Sequence, residues 1–167
     1  MDAGLLVGRA VLGLLMAAHG SQKLFGWFGG YGLTAVSGFF ETLGFRPGRF
    51  FALTASWTEI ASGLLVAFGF LGPIGPALML SVMIVAAVSA HWSNGILGAN
   101  GMELPILYGT GAATLALTGP GRYSLDALAG FSAVWTPELS WLALAIGIAG
   151  GVLNLALRRA APSVAAA

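Results

Sequence analysis

Glu59 is the residue in this sequence that most needs a chemical explanation. It stands nine residues into an apolar stretch, Phe50–Leu71, about 13 Å from its start at 1.5 Å per helical residue. That is too deep for a short carboxylate to reach water. An ionisable group in a hydrocarbon core costs about 2.5 to 3.5 kcal/mol on insertion scales, so it must be paired, protonated or hydrated. Candidate partners lie on the preceding apolar stretch, Gly4–Leu24, where His19 and Lys23 are four apart and share a helical face, with Arg9 broadly on the same side. The expected contact is Glu59 with His19 or Arg9, an acid and a base able to relay a proton near neutral pH. The plainer alternative is a buried pair that only fixes helix register, with Arg9 reaching the headgroups from near a helix end.

A second polar group follows. His91, Trp92 and Asn94 close the third apolar stretch on the same side as Lys23 and Trp27, and imidazole, amide, ammonium and indole together could hold a polar headgroup. Trp27, Phe28, Trp57 and Trp92 would equally suit an interfacial aromatic belt. Glu103 is a further binding candidate at the start of the next stretch. Singly scattered, Glu59, His19, His91 and Glu103 form neither an H-E-x-x-H pattern nor a Cys/His framework, so no metal site is expected. The chain has no cysteine, which excludes thiol chemistry by its own side chains. A formal charge of +1 with no basic run gives no footprint for nucleic acid.

The elements that must position these groups follow from composition. Of 167 residues, 57% are hydrophobic and 8% charged, against about a quarter charged in soluble domains. Apolar runs of about 20 residues can each cross a hydrocarbon core, and they predict an all-α integral membrane protein. Spans are expected at Gly4–Leu24, Phe50–Leu71, Ile74–Trp92, Leu104–Thr118 and Leu139–Leu157, with a short interfacial helix at Leu33–Leu43. The first run opens with Asp2 and carries Arg9, so it is expected to remain as a span rather than to be a cleaved signal. Gly72-Pro73 and Gly119-Pro120 mark turns, and Gly147 with Gly151, like Gly4 with Gly8, offers small faces for close helix packing. Alternating spans put Lys23, Arg46, Arg49, Arg158 and Arg159 on one side and Arg9 and Arg122 on the other, which favours an outside N-terminus.

The motifs HGSQKLFGWFGG (His19–Gly30), WTEIASGLLVAFGF around Glu59, HWSNG (His91–Gly95), MELP (Met102–Pro105) and GPGRYSLD (Gly119–Asp126) occur in that order. In these motifs and their order the chain resembles the DoxX family of small bacterial membrane proteins. The resemblance implies a DoxX-like four-helix transmembrane bundle over 1–128, including a re-entrant or interfacial segment 25–49. The segment 129–158 would then be an additional C-terminal fifth transmembrane helix, and 159–167 a flexible tail. It also implies a link to oxidoreduction, with thiosulfate-to-quinone electron transfer and thiol or oxidative stress among the family's associations.

On that basis the expectation is a plasma-membrane subunit of an oxidoreductase complex, not autonomous, offering a quinone or similar amphipathic molecule a polar pocket. Glu59 and His19 would relay protons, while Lys23, His91, Asn94, Trp27, Arg9 and Glu103 would bind. No intrinsic cofactor is expected, since no haem or flavin motif is evident. A redox partner protein would carry the electrons, and self-association is a further expected contact. Two other readings stay open: a membrane assembly scaffold with no catalysis, and a small proton-coupled transporter using the Glu59–His19 pair.

Overall fold

The computed structural model describes residues 2–159, and these form an all-helical bundle without strands. Helix α1 (Asp2–Phe25) carries Asp2 in its first turn and Lys23 in its last, the charge order that suits the helix dipole. A single 3₁₀ turn (Trp27–Gly29) leads to the short helix α2 (Gly32–Thr42). Helix α3 (Gly48–Phe68) starts directly after Pro47, and the Glu41 carboxylate accepts the Gly48 N–H at 3.1 Å, satisfying one of the free donors at its N-terminus. It ends at Gly69, whose φ of 62° is the left-handed C-terminal conformation that glycine adopts without strain.

Helix α4 (Ile74–Ala86) runs on through a π-helical turn, Ala87–His91, and a 3₁₀ turn, Trp92–Asn94. Helix α5 (Glu103–Thr118) has Pro105 in its first turn, where the missing N–H costs little. A short helix α6 (Leu125–Leu128) and a 3₁₀ turn (Phe131–Ala133) precede α7 (Pro137–Ala156). Three N-terminal signals coincide on α7: the Thr136 hydroxyl accepts the Leu139 N–H, Pro137 is the first helical residue, and Glu138 lies in the first turn.

Four of these segments, Asp2–Phe25, Gly48–Phe68, Ile74–Asn94 and Pro137–Ala156, are long and apolar enough to cross a membrane. Helix α5, with 16 residues, extends about 24 Å at the usual rise and is the short member. The chain is a multi-pass membrane protein. The helix ends fall close to those expected from sequence, and the expected tail, apart from Arg159, lies outside the described residues.

The shared core is Met16 of α1, Val66 of α3, Met79 and Met83 of α4 and Ala112 of α5. Helices α1 and α3 approach closely because a glycine stands on at least one side of each close backbone contact. A Cβ on Gly20 would meet the Ser56 carbonyl oxygen at 2.6 Å, and one on Gly63 would meet the Ala17 nitrogen at 2.5 Å. Gly147 and Gly151 do the same for α7 against the Ala77 and Ser81 carbonyls of α4. Gly4 and Gly8, also expected to serve packing, have nothing within 4 Å of where a Cβ would stand. At its two ends α7 reaches opposite turns: the Trp135 indole seats on Gly72, and the Arg159 N–H donates to the Gly44 carbonyl at 2.8 Å.

Candidate functional site

Glu59 is completely buried on α3 and is paired with Lys23 of α1 through its Oε1. This is the one ion pair among the described residues. The expectation of a contact with His19 or Arg9 is therefore corrected to Lys23. The cause is helix register. Gly20 sits against Ser56 and Ile60, so the last turn of α1 is level with Glu59. Arg9 lies nearer the far end of α3, where it donates to the Ala67 carbonyl at 2.7 Å and to that of Tyr123. Eight residues of α3 separate Glu59 from Ala67, about 12 Å along the helix.

The second carboxylate oxygen, Glu59 Oε2, is buried and has no hydrogen-bond partner among the described residues. Around it the fold collects other titratable groups. His19, one turn before Lys23, is within electrostatic reach of Lys23, Glu59 and His91, and Tyr108 of α5 is within reach of Glu59. Lys23 is 21% exposed and His19 is exposed, so the buried acid is paired with a side chain that reaches the surface at this end of the bundle.

Hydrogen bonds fix the ring orientation of the two histidines at this end. Gln22 donates its amide nitrogen to the Phe28 carbonyl at 3.1 Å, which turns its amide oxygen towards His19 Nδ1, also at 3.1 Å. A carbonyl oxygen only accepts, so neutral His19 carries its proton on Nδ1 and leaves Nε2 with a lone pair. His91 obeys the same logic, because its Nδ1 is 2.7 Å from the Asn100 carbonyl oxygen. In their neutral forms both are proton acceptors at Nε2. Donating to a carbonyl from Nε2 would require the imidazolium.

The other sequence candidates lie elsewhere. Asn94 uses its amide nitrogen on the same Asn100 carbonyl, at 3.0 Å, and so braces the loop that holds His91. Trp27 is exposed and packs on Phe25 with ring centres 4.8 Å apart, as an interfacial aromatic would. Glu103 stands at the start of α5 with its Oε2 beside Gly101 and unpartnered, and no hydrogen bond or ion pair joins it to Glu59 or Lys23 among the described residues. Arg9 lines a separate small cleft with Gly69, Pro76 and Pro120, with room for about one water. No group of three or more His, Cys, Asp or Glu side chains among the described residues is arranged to hold a metal ion.

Sequence reasoning passed over Gln22, Asn100 and Tyr108. Gln22 had a legible signal, since it follows His19 by three residues and shares its helical face. Asn100 had none, because it meets His91 only through the fold of the loop.

The DoxX family model matches residues 4–92, just over half of the chain. The chain belongs to the DoxX family. The match covers α1, the α2 region, α3 and α4 up to Trp92, and so contains Lys23, Glu59, His19 and His91. Helices α5 and α7 of this DoxX protein lie outside it. No curated protein and no solved structure matches the chain.

Proposed function

We propose that this DoxX protein is a non-autonomous membrane subunit of a redox complex, and that the mouth around Lys23 and Glu59 takes the polar head of a quinone-like amphipathic molecule. The observation that carries the reading is Glu59: fully buried, held by one cation through one oxygen, and with the other oxygen free. A buried carboxylate oxygen without a partner is costly to maintain, and a hydroxyl group of a ligand would satisfy it. The exposed neighbour His19 offers Nε2 as a second acceptor.

Two acceptors and one ammonium suit the reduced, hydroxyl-bearing form of such a molecule. Glu59 Oε2 and His19 Nε2 would accept its protons, and Lys23 would balance the negative charge left behind. The two electrons would pass to a partner protein carrying a redox cofactor, because these side chains cannot store them. The plasma membrane of a bacterium is the expected setting.

The test is native mass spectrometry with cofactor extraction on protein in mild detergent. Retention of a quinone by the wild type and its loss in Glu59→Gln and His19→Ala is the expected result. If these variants, normally expressed, leave quinone binding and membrane electron flux unchanged, the reading fails. The scaffold reading keeps one supporting observation, the uncovered Gly4 and Gly8 on α1. Recovery of a membrane partner that depends on those glycines, with only bulk lipid bound, would favour it.

A further inference from the structure

Arg46, Arg49, Arg158 and Arg159 play no part in the site above. They are four of the seven lysines and arginines in the chain, and the fold gathers them at one corner. Arg159 donates its backbone N–H to Gly44, and Arg158 Nε donates to the Leu43 carbonyl at 2.9 Å, across 115 residues of sequence. The Arg158 guanidinium is also 5.8 Å from the ring centre of Phe45, which is fully buried. Arg46 follows Phe45 directly, and Arg49 is in the first turn of α3.

All four arginines are exposed, and none forms an ion pair with a carboxylate among the described residues. The nearby acid Glu41 has one oxygen committed to the Gly48 N–H. Like charges brought together repel, so this corner is balanced only when an anion joins it. Beside it, Leu153 and Leu157 at the end of α7 and Phe39 of α2 are exposed apolar side chains. An anion that meets both surfaces carries a negatively charged headgroup above hydrocarbon, and a phosphate matches the planar guanidinium fork.

We propose that this corner binds the headgroup phosphate of an anionic phospholipid from the surrounding leaflet. Arg158 is the fixed ligand: its Nε bond to Leu43 sets the guanidinium plane and leaves its terminal nitrogens for a two-point contact with phosphate oxygens. Arg46, Arg49 and Arg159 supply the surrounding field, and the acyl chains lie along Leu153, Leu157 and Phe39. A free phosphate ion would use the same guanidinium groups but none of the apolar surface.

The experiment is competitive lipid retention, read by native mass spectrometry on protein from micelles holding equal amounts of phosphatidylglycerol and phosphatidylcholine. Wild type is expected to keep phosphatidylglycerol over phosphatidylcholine by about tenfold or more, given several cations at one membrane surface. Arg158→Gln should lose most of that preference. Arg158→Lys, which keeps the charge but not the planar fork, should lose part of it, and Arg122→Gln at the opposite end should lose none. Equal retention of the two lipids by wild type, or the same loss in Arg122→Gln as in Arg158→Gln, would overturn the proposal. So would displacement of the lipid by millimolar inorganic phosphate, which would make this a site for a soluble anion.

Discussion

The Asp126 carboxylate holds Gly72 by accepting its backbone N–H at 2.7 Å, and the neighbouring N–H of Leu71 at 3.0 Å. In return the Asp126 N–H donates to the Gly69 carbonyl at 3.1 Å. Leu71 and Gly72 both have positive φ, 60° and 49°, and the fully buried acid supplies the acceptors that a helix would otherwise provide. The segment after α5 thus ties down the turn between α3 and α4, next to the Arg9 bonds to Ala67 and Tyr123.

Removing that acid should loosen the whole end of the bundle. Asp126→Ala leaves two inward N–H groups without an acceptor and should cost about 1 to 3 kcal/mol for each. Asp126→Asn keeps one acceptor oxygen and should cost less. Unfolding in mixed micelles measures both, and equal stability of Asp126→Ala and wild type would show that the turn stands without it.

The Lys23–Glu59 pair should be asymmetric under mutation. Lys23→Met strands a buried carboxylate and should cost roughly 3 to 5 kcal/mol, whereas the double variant Lys23→Met/Glu59→Gln should recover much of that loss. The same unfolding assay completes the double-mutant cycle. Additive losses would mean that the two residues do not interact energetically.

Glycines that look alike in sequence should behave in opposite ways. Gly20→Ala inserts a methyl against Ser56 and Ile60, and overpacking of this kind costs about 1 to 3 kcal/mol. Gly4→Ala and Gly8→Ala meet nothing and should stabilise α1 by up to about 1 kcal/mol through helix propensity. A comparable loss at all three positions would reveal a partner covering the Gly4 and Gly8 face.

Nitrogen-15 spectra of labelled histidine should show both neutral side chains protonated at Nδ1. In Gln22→Met the His19 signal should shift to a mixture of tautomers, while His91, held by Asn100, stays as it was. An unchanged His19 signal would show that Gln22 does not orient it.

Much of the bundle was legible in the sequence because every apolar run but the short α5 has the length of a membrane, and the runs are punctuated, as at Gly72-Pro73 and Gly119-Pro120. The depth of Glu59 was legible for the same reason, by counting along α3. Its partner was not. His19, Lys23 and Arg9 share one side of α1, and choosing among them needs the vertical register of α1 on α3. The close contacts at Gly20 and Gly63 set that register, and nothing in a single helix reveals it. Asp126 shows the limit again: it is 54 residues from Gly72, and only the folded chain brings this first-turn acid of α6 to two stranded N–H groups.

The π turn at Ala87–His91 carries one residue more than the α-helical ladder would. A regular α-helical residue turns the chain by about 100°, but a π turn spreads one rotation over about one residue more, so the surplus residue is absorbed within Ala87–His91 and the chain beyond keeps its bearing. Deleting Ala90 would therefore let the ladder close as a regular α-helix and leave His91 close to its present bearing. The turn is thus a slack link one residue long: a single-residue deletion inside it is taken up locally, whereas the same deletion higher in α4 would rotate His91 by about 100°.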